Sequence, residues 1–421
     1  MTMPYRLCAR CALLLFLAAA AAPAPGQAAP ALQKYSVDQN RISVSGLSSG
    51  GYMAVQLHVA FSRTFMGAGV LAAGVYYCAE GQLYHAFKPP WSTDSNEGRC
   101  YSNAAAPMPP ATHFRDVAER EAAAGRIDPT AHLAGDRVWI FTGSADPTVN
   151  DNPVDRLNDF YAFYTESNNI VYLRNPPTVP AGHGFPTPDH GNAQCTATAP
   201  PYINDCDYDA AGELLKHLYP GLAPATAMVS ANLQTFDQSE FSGGEFTLDA
   251  EGFIYVPTAC ANGASCSLHV ALHGCQQNKS KLGDEYARHT GYNEWAETNN
   301  IIVLYPQTSV SATNGCWDWW GYTDRGLSKN YHVQAGSHMQ AVKKMVNRIA
   351  GLDEPPVSPV PPVSVCITAT NSAHAGAGRA YAWWWVFYYA KGSNQYLGFG
   401  FTETALEETS PGRFEKVASC P

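Results

Sequence analysis

A serine flanked by glycines, placed where a strand runs into a helix, constrains this chain more than any other feature. It lies in RISVSGLSSGGYMAVQLHVAF, Arg41–Phe61. Ile42–Ser45 reads as a strand and a helical pattern starts near Gly51, with the G-x-S-x-G turn Gly46-Leu47-Ser48-Ser49-Gly50 between them. Such a nucleophile elbow bends the backbone so sharply that the Ser48 hydroxyl stands clear above the sheet. Gly46 and Gly50 are needed because strand and helix pack too closely there for larger side chains. G-x-S-x-G also arises by chance in a chain with 35 glycines, so its strand–turn–helix setting is what gives it meaning. The elbow sets a problem of topology as well. It normally follows several strands of its sheet, and here almost nothing precedes it.

What does precede it is not fold. Arg6 and Arg10 form a positive segment, ALLLFLAAAAA (Ala12–Ala22) a short apolar run, and Gly26-Gln27-Ala28 a small-residue cleavage site. Residues 1–28 read as a secretory signal peptide, too short to span a membrane. No other stretch is long and apolar enough, so a secreted, extracellular protein with no membrane partner is expected. Cysteine usage agrees. Cys8 and Cys11 lie in the signal, and the ten that remain, an even number, read as disulfides formed in an oxidising compartment. Their connectivity is open from sequence. Pairing nearest neighbours (78–100, 195–206, 260–266, 275–316, 366–420) is the simplest arrangement. The mature chain has neither a C-x-x-C pair nor H-E-x-x-H, so no metal site and no cofactor is expected. A formal charge of −10 argues against a nucleic-acid partner.

The 421 residues exceed one ordinary domain. Three parts follow the signal. The first, about Leu32–Pro220, carries the elbow. The second, about Thr226–Asp353, has strand signals at GFIYVP (Gly252–Pro257), SLHVALHG (Ser267–Gly274) and NIIVLYP (Asn300–Pro306), with helical patterns in YNEWAETN and His338–Ala350. Residues 354–365, within DEPPVSPVPPVSV, read as a proline-rich linker. Residues 366–421 form a small module bounded by Cys366 and Cys420. The second part resolves the topology. LHVALHGC is an apolar strand ending in His-Gly, and in α/β-hydrolases such a turn after an early strand supplies one oxyanion-hole N–H. Here it comes long after the elbow, as if the early strands had moved to the C-terminal side. The fold expected is a circularly permuted α/β-hydrolase, with residues 32–353 as one catalytic domain and a small C-terminal β-rich module behind it. Two independent domains are the rival. Against them, the second part has no G-x-S-x-G of its own, and the first lacks the strands to close a hydrolase sheet.

Ser48 is the candidate nucleophile, and a serine hydroxyl needs an adjacent base. RVWIFTGSADPTVN gives a strand at Val138–Thr142 followed by Asp146, the candidate acid, which would hold the histidine tautomer. Asp151 and Asp155 are rivals further from the strand end, and an ordinary Asx-turn before proline is the bland reading of Asp146. VPAGHGFPTP gives His183 between glycines as the base, with His190 as the alternative. Ser48, Asp146 and His183 follow the chain order of this fold. The oxyanion hole needs two backbone donors, and losing one typically costs ~10²–10³ in rate. Ser49 N–H is one, and the HGC turn offers Cys275 as the other, with His273 shaping the loop. If Cys275 pairs with Cys316, the bridge brings GCWDWWGY to the site. Trp317, Trp319 and Trp320, with His273, are then the substrate-binding candidates. The bland reading is that the tryptophans are core.

GLSSGGYMA, GSADPTVN, GHGFPT, LHGCQQN and NGCWDWW, in that order, resemble secreted poly(3-hydroxybutyrate) depolymerases with a circularly permuted (type 2) catalytic domain, over roughly Ser36–Leu352. The resemblance implies Ser48, Asp146 and His183 as the triad and Ser49 and Cys275 as oxyanion donors. It also implies a lidless surface crevice that takes a single polyester chain; a monomer acting on solid polyester without a cofactor is expected. A secreted feruloyl or acetyl xylan esterase would use the same residues, and a non-catalytic polymer-binding protein is a rival of another class. The tail is similar to small C-terminal modules of secreted polymer-degrading enzymes. From its residues it reads as a hairpin, Ala382–Ala390, a Lys-Gly-Ser-Asn turn, then Gln395–Thr402. Trp383, Trp384, Trp385, Phe387, Tyr388 and Tyr389 would spread over both faces of its first strand. Either one face adsorbs on solid polyester or both faces pack.

Overall fold

The strand that feeds the elbow is longer than its sequence signal and lies in mid-sheet. The computed structural model describes residues 29–88, 93, 97–324, 329–352, 366–383, 386–410 and 413–420. The stretches read from sequence as a signal, 1–28, and as a linker, 354–365, together with Trp384 and Trp385, lie outside the described residues. β1 runs Val37–Leu47, and β2 (Gly67–Leu71), β3 (Arg137–Thr142) and β4 (Ile170–Arg174) follow it outward on one side, each parallel to the last. β5 (Phe185–Thr187) and β6 (Ile203–Asp205) form a separate parallel pair. The other side of β1 is filled by β7 (Leu233–Asp237), β8 (Glu251–Tyr255), β9 (Cys266–Leu272) and β10 (Ile301–Tyr305). The order is β4-β3-β2-β1-β9-β10-β8-β7. β9 runs parallel to β1 with Gly46 opposite Leu272, while β8 is antiparallel to both of its neighbours. The strands missing before the elbow therefore come last in this part of the chain, and the α/β-hydrolase sheet is circularly permuted.

Alternation along the strands builds two cores. Ile42, Val44, Val70, Ile140, Val270 and Leu304 face one apolar layer, and Leu71, Trp139, Phe141, Ala271, Val303 and Tyr305 the other. Helix α1 (Ser49–Ala60), buried along its whole length, and helix Ser337–Ala350 cover the first; helices Ala210–Leu218 and Tyr292–Asn299 cover the second. A parallel sheet covered on both faces needs near-continuous apolar strands, which is how VLAAGV and HVALHG read. Ser43 and Ser45 are the polar side chains in the buried half of β1, Ile42–Leu47. Their hydroxyls lie 2.7 Å from the two ring nitrogens of His269 on β9, and 2.6 Å from the Tyr219 and Tyr292 hydroxyls. A buried polar group needs a partner, and here each member of the network supplies another's.

The ten cysteines pair as nearest neighbours: Cys78–Cys100, Cys195–Cys206, Cys260–Cys266, Cys275–Cys316 and Cys366–Cys420. Among the described residues no helix is long and apolar enough to cross a membrane.

The chain divides into two compact units between Leu352 and Asp353. In the second, β11 (Cys366–Thr370), β12 (Ala380–Trp383), β13 (Phe387–Ala390), β14 (Tyr396–Phe399), β15 (Glu403–Ser410) and β16 (Arg413–Val417) form two antiparallel sheets, β11-β15-β16 and β12-β13-β14. The single strand expected over Ala382–Ala390 is instead two. The chain reverses between Trp383 and Phe387, which sit opposite each other in β12 and β13. Folding back lets the aromatics pair across strands. The Lys391–Asn394 turn joins β13 to β14 as the sequence suggests.

Candidate active site

Ser48 sits at the end of β1 with φ 56° and ψ −121°, a conformation that a non-glycine residue adopts only when its surroundings impose it. Two close approaches impose it. A Cβ on Gly46 would lie 2.3 Å from the carbonyl carbon of Gly50, and a Cβ on Gly50 2.2 Å from the carbonyl oxygen of Leu272. Glycine is obligatory at both positions because every obstacle is backbone. α1 begins at Ser49, so the Ser49 N–H is one of the first-turn donors with no carbonyl behind it, at the positive end of the helix dipole.

β3 delivers Asp146. Its carboxylate is buried, 1% exposed, and Oδ1 accepts the N–H groups of Thr148 at 2.7 Å and Val149 at 3.1 Å. Oδ2 lies 2.8 Å from Nδ1 of His183, in the loop that leads into β5. A carboxylate only accepts, so Nδ1 carries the proton and Nε2 keeps the lone pair. The His183 main-chain N–H donates to Thr198 Oγ1 at 2.9 Å, which fixes the loop. Ser48 and His183 line one cleft of about 220 Å³. The hydroxyl and the ring are not hydrogen-bonded to each other, a contact that commonly tightens only with substrate. The rivals are occupied elsewhere. His190 Nε2 lies 2.8 Å from Glu285, Asp151 accepts from Asn175 at 2.8 Å, and Asp155 accepts from Arg174 and Tyr172 at 2.7 Å.

The HGC turn at the end of β9 lies against the elbow. Gly274 and Cys275 line the cleft beside Ser48, and a Cβ on Gly274 would stand 3.4 Å from that of Ser48. The structure does not bring His273 or the tryptophans to the cleft surface. His273, Trp317, Trp319 and Trp320 are buried and lie behind the lining. They brace it instead. The Trp317 N–H donates to Ser49 Oγ at 3.3 Å, Trp319 stacks on Tyr52 of α1 at 4.2 Å, and Trp320 meets Phe87 edge-on at 5.0 Å. Asp318 holds their loop, its carboxylate accepting from the N–H groups of Gly321, Tyr322 and Thr323. The rest of the lining includes residues that sequence reasoning missed, Phe87, Tyr101, Tyr202, Gln276, Gln277 and Asn314. Only the two glutamines carried a signal, standing directly after the HGC turn. Burial pushes the Tyr101 hydroxyl up, so it stays protonated and able to donate.

Away from the cleft, His190, Glu285 and His289 bring three ligand-type atoms within 4.8 Å of one another. The two imidazoles stack at 3.9 Å with planes 8° apart. An ion shared between parallel rings would sit roughly 2 Å out of each plane, nearly the whole length of a Zn–N bond, so in this arrangement their lone pairs do not converge on one.

The permuted sheet, the strained elbow and the cleft define a carboxylic ester hydrolase of the α/β-hydrolase class. The chain is 42% identical over 365 residues to a poly(3-hydroxybutyrate) depolymerase of Delftia acidovorans (84% of this chain, 69% of the relative), and 37% identical over 342 residues to a polyhydroxybutyrate depolymerase of Talaromyces funiculosus (77% and 95%). It belongs to the poly(3-hydroxybutyrate) depolymerase family. Two solved structures share its fold with a TM-score of 0.67 at 36% identity, over 76% of this chain and 99% of theirs. One is a PHB depolymerase from Penicillium funiculosum, the other a serine-to-alanine PHB depolymerase complexed with an R3HB trimer. No protein-family model matches the chain.

Proposed function

We propose that this protein is a secreted, extracellular serine esterase that hydrolyses poly(3-hydroxybutyrate) to hydroxybutyrate oligomers and monomer, acting as a monomer on solid polyester. The observation that carries the chemistry is the Asp146–His183 pair at 2.8 Å, its free Nε2 edge in the same cleft as the elbow serine. Ser48 Oγ attacks a chain ester while His183 Nε2 takes its proton. Asp146 holds the tautomer and stabilises the imidazolium. The oxyanion rests on the N–H groups of Ser49 and Cys275. His183 then protonates the leaving hydroxyl, and a water it activates releases the acyl product. None of these steps calls on a metal or cofactor. Phe87, Tyr101 and Tyr202 offer apolar walls to a methyl-bearing chain, and Gln276 and Asn314 offer polar contacts to its esters.

The second unit is read as the part that adsorbs to the solid. Tyr381 and Tyr389, Trp383 and Phe387, and Tyr389 and Tyr396 form one continuous aromatic face on the β12-β13-β14 sheet, with Trp383 56% and Phe401 82% exposed. Ala380, Ala390 and Leu397 pack inward against Leu406 and Phe414.

Clearing of a suspension of denatured poly(3-hydroxybutyrate) granules tests the catalytic reading, wild type beside Ser48→Ala, with methyl ferulate and acetylated xylan in parallel. Clearing by wild type alone is expected. Clearing by Ser48→Ala removes the serine from the mechanism. Release from ferulate or xylan without clearing moves the substrate to plant-wall esters.

A further inference from the structure

The peptide unit assigned to the oxyanion is held at its carbonyl. The Gly274 carbonyl and the Cys275 N–H belong to one planar peptide and point in opposite directions, so whatever fixes the carbonyl aims the N–H. That carbonyl lies 2.7 Å from His273 Nδ1 and accepts the Gln277 N–H at 3.3 Å. His273 is fully buried, and burial pushes its pKa down to about 4, so the ring is neutral. Its Nε2 lies 3.3 Å from the Thr308 N–H, which can only donate, leaving the ring proton on Nδ1 and facing Gly274.

Gln277 completes the arrangement. Its Oε1 accepts the Gly274 N–H at 2.7 Å. Its Nε2 donates to the carbonyls of Pro201 and Tyr202, both at 3.0 Å. Tyr202 lines the cleft at φ 55°, a strained conformation that needs holding. The Gln277 side chain is buried and both of its amide hydrogens are used, so no other residue type reproduces the set. A carboxylate would turn two donors into acceptors facing two carbonyls, and asparagine is one methylene short.

We propose that Gln277 is a positioning residue for ester hydrolysis, its side-chain amide tying the Gly274 N–H, in the peptide immediately before the one that carries the oxyanion donor, to the Tyr202 wall, so that Gly274 cannot turn and the oxyanion donor keeps its aim. The inference rests on the reading of Cys275 N–H as an oxyanion donor.

The test compares wild type, Gln277→Glu, Gln277→Met and Ser48→Ala on a soluble 3-hydroxybutyrate oligomer. It also follows phosphonylation by an alkyl p-nitrophenyl phosphonate, whose adduct places an oxygen in the oxyanion hole. Both glutamine variants are expected to lose about 10- to 100-fold in kcat and in phosphonylation rate, with KM within about threefold, a part of the full cost of losing one donor. The deficit of Gln277→Glu relative to wild type should narrow as pH falls, because a protonated carboxyl regains one donor. A purely structural role would not produce that pH dependence. Phosphonylation and kcat near wild type in both variants, or losses confined to KM, overturn the proposal. If neither variant folds, amide exchange in the wild type decides. The Gly274 N–H should exchange at least ~100-fold more slowly than a free loop amide, and exchange at the free rate overturns the proposal. Hydrolysis retained by Ser48→Ala would instead overturn the catalytic reading, an outcome separate from any of these.

Discussion

His269 and His183 look alike in a list of residues, and their surroundings give them opposite duties. His183 stands between two glycines in a loop, one nitrogen on Asp146 and the other toward the cleft. His269 is sealed between Ser43 and Ser45 in mid-sheet, and burial pushes its pKa down to about 3. Burial likewise lowers His273 and His338 to about 4. All three are neutral in the fold and titrate near 6.5 once unfolded. Between pH 6.5 and about 4 the unfolded chain therefore binds more protons than the native one, so stability is complete above 6.5 and falls with pH. Each histidine contributes up to about 1.4 kcal/mol per pH unit. Denaturant midpoints measured from pH 7 to pH 4 should decline across that window, and His269→Gln should flatten the slope by one group's share. A slope unchanged in that variant would mean that His269 does not titrate on unfolding. The sequence pointed to His183 through its flanking glycines and to Asp146 through the strand end before it. It carried no sign of Phe87 or Tyr101, which reach the cleft only because their loops fold over it.

At the scale of elements, the elbow is a junction of three pieces that meet backbone to backbone: β1, α1 and the end of β9. The close approach of Gly50 to Leu272 sets the spacing between Ser48 and the HGC turn. Gly50→Ala has to push α1 off β9, and since no flexible side chain is there to yield, it should cost about 3 kcal/mol in a urea titration. Hydrolysis should fall with it, and wild-type stability in that variant would show that the junction is looser than its geometry. The tryptophan loop belongs to the same scale. CWDWW was legible as an element beside the oxyanion turn, but whether its rings face substrate or core depended on Asp318 and Tyr52, which curl the loop and take Trp319 from behind. The aromatic run of the tail was legible as strand and not as two strands, because no glycine, proline or asparagine marks the reversal between Trp383 and Phe387.

At the scale of the whole molecule, a soluble ester and a solid polymer make different demands, and the proposed function divides them between the two units. Replacing Trp383 and Phe401 together by serine should reduce adsorption to poly(3-hydroxybutyrate) granules several-fold. Both are exposed, so hydrolysis of a soluble oligomer should be unchanged. Adsorption equal to wild type would show that this face is not what meets the polymer. The permutation, too, is visible only at this scale. Local patterns were enough to determine the elbow, the HG strand, and the order of serine, aspartate and histidine, because each depends on residues within a few positions of one another or on chain order alone. Which strands flank β1, which rings line the cleft, and what Gln277 holds together were decided by tertiary structure. Those contacts join residues far apart in the chain, 76 positions for Gln277 and Pro201 and 226 for Ser43 and His269, and such pairings leave no periodicity in a sequence.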